Sequence, residues 1–468
     1  MKGKVEATAS TYPGMNVLAD ARELDAEGPV CDACLGRVFA DRSHGLTNAE
    51  RGRSLRVAAA LGNDEPHEPT DTAECWVCEG LCDEFDAWAE RCAAAVEDVE
   101  FDTYQVGTRT PPLLEENERL FREAAERDPD AGEAFKSEFN REVGKRVGPL
   151  TETMVDFGRP DVQFTLDIDA DTVEVDVHSA FVYGRYRKLE RDIPQTEWPC
   201  NACDRSGYVG SQPCENCGGT GYLYEHSVEE LTAPVVRDVM DGTDAKFHGA
   251  GREDVDARMV GTGRPFVIEV IEPRRRNVDT DRLEGDINAF AEGRVEVDRL
   301  GLATYDAVER VKGLDASKRY RAEVEFDGPV DEDGLATALA ELDGATVEQY
   351  TPHRVDHRRA SITRTREVYD TAGGLNDPTH ATVEIHGAGG LYVKELVSGD
   401  EGRTEPNLAD RLGVGAEVAA LDVVGVYGES EPFEDPAYFR EAAPEPLEGA
   451  PEPADGSEDG GGADANEA

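Results

Sequence analysis

The chain has 468 residues, 48 basic and 100 acidic side chains, a net charge of −52 and 39% hydrophobic residues. That length allows two to four domains with cores of their own, and no apolar run reaches the roughly 18 residues of a membrane span. The first residues, "MKGKVEATASTYPGMNVLADARELDAEG", lack the continuous apolar stretch of a secretory signal, so a cytoplasmic location without membrane contact is expected.

The acids are spread along the whole chain, and only nine of the basic residues are Lys. Periodic apolar patterning over most of the length argues against general disorder. A dense carboxylate surface, hydrated and screened within a few ångström by a high-salt cytoplasm, fits the composition better. Global acidity then says nothing against an anionic partner; what matters is where cations remain. They remain in Arg-rich islands: "GRYRKLER" (184–191), "PRRR" (273–276), "SKRYR" (317–321) and "TPHRVDHRRASITRTR" (351–366). Such islands in so acidic a chain point to phosphate contacts, with Arg185, Arg187, Lys188, Arg354, Arg358 and Arg359 as the candidates.

In chain order, residues 1–83 hold two CxxC pairs, Cys31/Cys34 and Cys75/Cys78, around a helical stretch "NAERGRSLRVAAALG". Their thiolates suit a zinc ion, although the loop of about 40 residues between the pairs makes the pattern less diagnostic. Cys82 is a competing ligand for that site; otherwise it and Cys92 read as buried small hydrophobes. Residues 84–197 open with amphipathic helical material and end in the alternating runs "VQFTLDI", "TVEVDV" and "AFVYGRY". An insertion at 198–221 carries Cys200, Cys203, Cys214 and Cys217 as C-x2-C-x10-C-x2-C. Two such knuckles supply four thiolates to a closed, structural zinc site with no open position for catalysis. Residues 222–432 contain the strand-like runs "FVIEVI", "RYRAEVEF", "TVEIHG", "LYVKELV" and "LDVVGVY". Regular crossover helices are missing between them, which predicts an α+β fold with a mixed, mainly antiparallel sheet flanked by helices. The tail 443–468, rich in acids, Gly and Pro, is expected to be disordered.

The densest run is "FHGAGREDVDARMVGTGRPF" (247–266). Its glycines precede a strand instead of following one, and no GxxxxGK[ST] occurs, so neither phosphate-loop pattern applies. The "GRED" at 251–254 resembles the G-R-x-D turn that carries the essential Asp of pseudouridine synthases, in the form found in the archaeal and eukaryotic tRNA pseudouridine(54/55) synthase family. "SKRYRAEV" resembles that family's K-x-Y-x-A strand, and "GGLYVKELVSGDEGRTEPNLADRLG" is similar to its G-T-Y-I-K-E-F-V-x-G-D-x-G-R-T-x-P-N segment. "QYTPHRVDHRR" follows its Q-x-T-P-x-R-V-x-H-R-R. The N-terminal half is similar to the family's paired CxxC motifs and THUMP-like RNA-binding region, so the likeness covers about residues 25–430. Leu391, Val393 and Leu396 depart from the usual Thr, Ile and Phe while keeping those positions apolar.

The resemblance implies isomerisation of uridine to pseudouridine at positions 54 and 55 in the TΨC arm of tRNA, by a monomer with structural zinc and no organic cofactor. It places the catalytic carboxylate at Asp254, with Asp256 as the alternative on the same side of an extended segment. Tyr320 and Tyr392 would contact the uracil, Lys394 would be the carboxylate's cationic neighbour, and Val393 and Leu396 would wall the pocket against water. A non-catalytic zinc-containing THUMP RNA-binding protein, or another THUMP-bearing tRNA-modifying enzyme, is the alternative. For the latter, neither a glycine-rich cofactor loop nor the H-x-E of a nucleobase deaminase is present.

Overall fold

The computed structural model describes residues 17–67, 70–124, 132–355, 360–428 and 435–440. The acidic tail and the candidates Arg358 and Arg359 lie outside the described residues.

In the N-terminal half, helices pack on a four-stranded sheet ordered Met154–Val155, Thr103–Arg109, Val162–Asp167, Thr172–Val177. The alternation of "VQFTLD" buries Val162, Phe164 and Leu166 on one face. Those side chains share one core with Trp88, Phe139 and the cysteines of the first two CxxC pairs. The CxxC region and the THUMP-like region are therefore one packing unit, without a boundary at residue 83. Helix Asn48–Asn63 starts with a capping box, in which Thr47 Oγ1 accepts from Glu50 N and Glu50 Oε2 accepts from Thr47 N. It crosses helix Asp32–Arg37 through Gly36 and Gly52. A Cβ on Gly36 would fall 1.8 Å from the Asn48 carbonyl oxygen, and one on Gly52 would fall 1.9 Å from that of Asp32.

The C-terminal half is a ten-stranded sheet whose main path runs Val295–Ala303, Ala180–Lys188, Arg258–Ile271, Ala416–Tyr427, Ser317–Phe326, His380–Gly387, Thr363–Asp377, Thr346–Tyr350, Thr404–Glu405, with Asp244–Gly249 also pairing to Arg258–Ile271. Every pairing is antiparallel except the short contact of Arg258 and Met259 with Asp422 and Val423. This is the expected mainly antiparallel α+β architecture, with helices such as Thr280–Phe290 and Glu332–Leu342 burying apolar faces on it.

Two expectations shift. Strand Ala180–Lys188 belongs to the large sheet, paired on both sides, so the halves divide before residue 180 and not at 197. The run "LYVKELV" is not a strand: Val393–Ser398 is a short helix, entered from Tyr392 and closed by Gly399 at φ 80°. Six residues are too few for alternation and helical periodicity to be told apart.

The glycines of the "GTG" run at 261–263 serve the sheet. Gly261 and Gly263 have φ of 61° and 70°, and a Cβ on Gly261 would fall 2.0 Å from the Val424 carbonyl oxygen. The pairing with Ala180–Lys188 shifts register there, and Arg185 braces the irregular stretch. Its guanidinium donates to the oxygens of Thr262 (2.7 Å), Gly263 (3.0 Å) and Val426 (3.1 Å).

Candidate active site

A cleft of about 920 Å³ opens where the turn after Gly249, the strands Ser317–Phe326 and Ala416–Tyr427, and the start of helix Val393–Ser398 converge. Glu253 and Asp254 divide the turn between inside and outside. The Glu253 side chain, 1% exposed, accepts from the Tyr186 hydroxyl (2.9 and 3.0 Å) and is ion-paired with the Arg264 guanidinium, Nε 2.9 Å away, with Lys188 Nζ at 3.8 Å. Gln195 links the Tyr186 oxygen to the Gly251 carbonyl at 2.9 and 2.8 Å. The buried Lys188 donates to the backbone oxygens of Ile193 (2.7 Å), Val255 (3.0 Å) and Asp254 (3.3 Å). Burial pulls its pKa down against the pull of Glu253. Arg191 donates to the carbonyl of Asp256 at 2.9 Å.

This corrects the reading of the first Arg-rich island. Arg185 and Lys188 are 4% and 0% exposed and spend their donors on the protein's own carbonyls, so they have no surface to offer a phosphate. Arg187 is tied to Glu296 (3.1 Å) and Asp298. The island scaffolds the turn that presents Asp254. "PRRR" is likewise structural at Arg276, which pairs with Asp161 at 3.1 Å across the junction of the two halves.

Asp254 faces the cleft. Both its oxygens accept from Arg354 Nη1, at 3.0 and 2.9 Å, and Lys394 Nζ stands 3.7 Å from Oδ2. Arg354 is held in turn by the buried Glu395, Nε to Oε1 at 2.6 Å. Burial opposes its charge, but Glu395 and Asp254 outweigh that and keep the guanidinium firmly protonated. Asp256 is exposed and does not line the cleft; its Oδ2 takes the shortest contact of Lys394, 2.6 Å. Burial works to raise the Asp256 pKa, and the Lys394 ammonium overcomes it and lowers it. The carboxylate's principal cation is thus Arg354, with Lys394 shared between two acids.

Tyr320 rises from the strand Ser317–Phe326 beside Lys318, one alternate position away, and opposite Val423 of the neighbouring strand. Burial pushes its phenol up to about 12, moderated by Arg264 and reinforced by Asp254, so it keeps its proton at neutral pH. Tyr392 and Val393 line the cleft. The Tyr392 backbone is pinned by the buried Gln349 amide, which both donates to its carbonyl and accepts from its N–H at 2.9 Å. Leu396 points away, fully buried in the core behind the helix. Sequence reasoning passed over Leu421 and Val423 in the cleft wall, along with Trp198, Arg252, Lys318 and Arg264. The alternation of "LDVV" held the signal for the first two, since Asp422 between them turns outward to Arg258 and Arg191.

The cysteines fall into two groups, Cys31/Cys34/Cys75/Cys78 and Cys200/Cys203/Cys214/Cys217, each with sulfurs within 4.8 Å of one another. Sulfur separations of 3.8 Å (Cys31–Cys78), 3.9 Å (Cys200–Cys214) and 3.7 Å (Cys203–Cys217) are too long for disulfides. They match the edge of about 3.8 Å of a tetrahedron with metal–sulfur bonds of about 2.3 Å. Arg37 Nη2 donates to Cys34 Sγ at 3.4 Å and Asn216 Nδ2 to Cys200 Sγ at 3.2 Å, the outer support that thiolate charge calls for. Cys82 stays outside the first group and receives Arg37 Nη1 at 3.6 Å.

Residues 181–427 match the family model described as Pus10, C-terminal, and residues 88–167 match Pus10 THUMP domain, archaeal. The chain is 71% identical to the tRNA pseudouridine synthase Pus10 of Halorubrum lacusprofundi, over 91% of this chain and all of that one. It is 41% identical to the protein of the same name from Methanothrix thermoacetophila, over 86% of this chain and 92% of that one. A solved Cbf5–Nop10–Gar1 complex contains a chain at 19% identity, covering 44% of this chain and 47% of that one, with a TM-score of 0.28, too low to add to the assignment. The THUMP match and the C-terminal match beside it, with these relatives, define an RNA-modifying enzyme. The chain belongs to the Pus10 family of tRNA pseudouridine synthases, which are isomerases.

Proposed function

We propose that the chain converts uridine to pseudouridine in the TΨC arm of tRNA, at positions 54 and 55, with Asp254 as the reacting carboxylate. The reaction breaks the bond between C1′ and N1, turns the uracil, joins C5 to C1′, and moves the C5 proton to solvent while N1 gains one. It needs an ionised carboxylate that attacks C1′ or takes the 2′ proton. The observation that carries the reading is that Asp254, and not Asp256, lines the cleft beside an Arg354 anchored by Glu395. Arg354 and Lys394 keep that carboxylate charged. Tyr320, protonated at neutral pH, offers a stacking face to the displaced uracil. Tyr392, Val393, Leu421 and Val423 exclude water from C1′. The target base must leave its stack to enter. Arg364, Arg366 and Lys318 line the same cleft and have no carboxylate partner among the described residues; they are the phosphate contacts, in place of Arg185 and Lys188. Both four-cysteine groups hold structural zinc, and the enzyme works as a cytoplasmic monomer.

The position is tested by carbodiimide mapping of a tRNA transcript after incubation with the enzyme in molar KCl. Primer-extension stops at both 54 and 55 are expected. Stops elsewhere in the tRNA would contradict the assignment to this arm.

A further inference from the structure

The chain has three tryptophans. Trp76 and Trp88 pack in or against the N-terminal core; the third, Trp198, lines the catalytic cleft. It sits two residues before Cys200, on the neck through which the four-cysteine knuckle leaves and rejoins the fold. The neck is a short antiparallel clasp: Leu223 N donates to the Trp198 carbonyl at 2.9 Å, Cys200 N to that of Gly221 at 2.8 Å, and Pro199 bridges Tyr222. Tyr224 on the returning segment braces the indole edge-to-face, ring centroids 5.3 Å apart at 75°. On the other flank the Arg252 guanidinium stands 5.7 Å from the ring centroid. Arg252 is exposed, lies two residues before Asp254, and has no carboxylate partner among the described residues.

We infer that Trp198 is a stacking platform for a nucleobase next to the flipped uridine, and that Arg252 moves from the indole face to that nucleotide's phosphate when RNA binds. The inference rests on the tRNA reading above and deepens it. A partly exposed indole braced by Tyr224, in the same cleft as Asp254, presents to a base the face over which Arg252 stands. Stacking suits this chain physically. Phosphate contacts lose strength steeply as salt rises, whereas a base on an aromatic ring does not depend on ion release. An enzyme with a charge of −52, working in concentrated salt, gains most from contacts of the second kind. The knuckle then has a role in the site: its clasp fixes the angle of Trp198.

The test is binding of an unmodified tRNA transcript, in low and in molar KCl, to the full-length chain and to Trp198→Ala, Trp198→Phe and Arg252→Gln. Far-ultraviolet circular dichroism serves as the folding control, and indole fluorescence is recorded in parallel. Trp198→Ala is expected to weaken binding between about 5-fold and about 100-fold at both salts, and Trp198→Phe to retain most of the affinity. Arg252→Gln is expected to weaken binding chiefly at low salt. Quenching of wild-type fluorescence by tRNA should vanish in Trp198→Phe, which still binds. Unchanged affinity in Trp198→Ala, or the same quenching in Trp198→Phe as in wild type, would overturn the platform and leave the tRNA reading standing. A wild-type chain that bound no tRNA would overturn both.

Discussion

At the scale of single residues, the site is organised by one alternation: Glu253 inward to Arg264 and Tyr186, Asp254 outward to Arg354. The "GRED" turn and the tyrosine of "SKRYR" were legible in the sequence because their resemblance is local. Arg354 as the partner of Asp254 was not, because 100 residues of chain separate the two. Lys318 shows the cost of such a site. Burial and the neighbouring Arg264 pull its ammonium down to about 8, below the ordinary 10.5. A Lys with a depressed folded pKa releases its proton earlier in the native state than in the unfolded one. Its penalty is therefore full below pH 8 and is relieved as pH rises from about 8 towards 10.5. Lys318→Met should raise the denaturation midpoint at pH 7, with the gain shrinking over that window, while tRNA affinity falls at pH 7. A gain that stayed constant across the whole window would contradict this reading of Lys318.

At the scale of elements, the strand Ala180–Lys188 and the helix Val393–Ser398 show where pattern reading stops. The strand's cations looked like an RNA-facing island, yet pairing on both edges and packing on both faces turn Arg185 and Lys188 towards carbonyls of the neighbouring strand and of the turn that carries Asp254. Composition does not reveal which backbone oxygens lack partners. In the helix, a rotation of roughly 100° per residue separates Lys394, beside Asp256, from Glu395, beneath Arg354, while Leu396 enters the core. An extended segment would have sent Lys394 and Leu396 to the same face. Leu396→Ala should behave as a core cavity, losing about 2–5 kcal/mol of stability. At a temperature where the variant is folded, tRNA affinity should be nearly unchanged. Denaturant titration and tRNA binding, measured together, check the pair of outcomes.

At the scale of the whole molecule, the mainly antiparallel α+β plan and the two four-cysteine groups were readable from strand runs and CxxC spacing. The junction was not: Arg276 and Arg440 converge on Asp161 across a sequence gap of more than 100 residues. The two cysteine groups differ in what surrounds them. Cys31, Cys34, Cys75 and Cys78 are part of the N-terminal core, whereas the second group forms a small cluster of its own. Cys78→Ser should therefore cost helical circular dichroism and lower the denaturation midpoint of the N-terminal half. Cys214→Ser should leave the far-ultraviolet spectrum close to wild type, because only the knuckle is released. Metal content, read by chromophoric release, should fall from about two zinc ions per chain to about one in either variant.

The central claim is that Asp254 does the chemistry and Asp256 does not. Tritium release from C5-labelled uridine in a tRNA transcript, in molar KCl, measures the reaction at the proton that must leave. Wild type and Asp256→Asn should both release tritium, the latter more slowly because Lys394 loses its shortest partner. Asp254→Asn should bind tRNA and release none. Release by Asp254→Asn at a rate near wild type, or its loss in Asp256→Asn alone, would contradict the account.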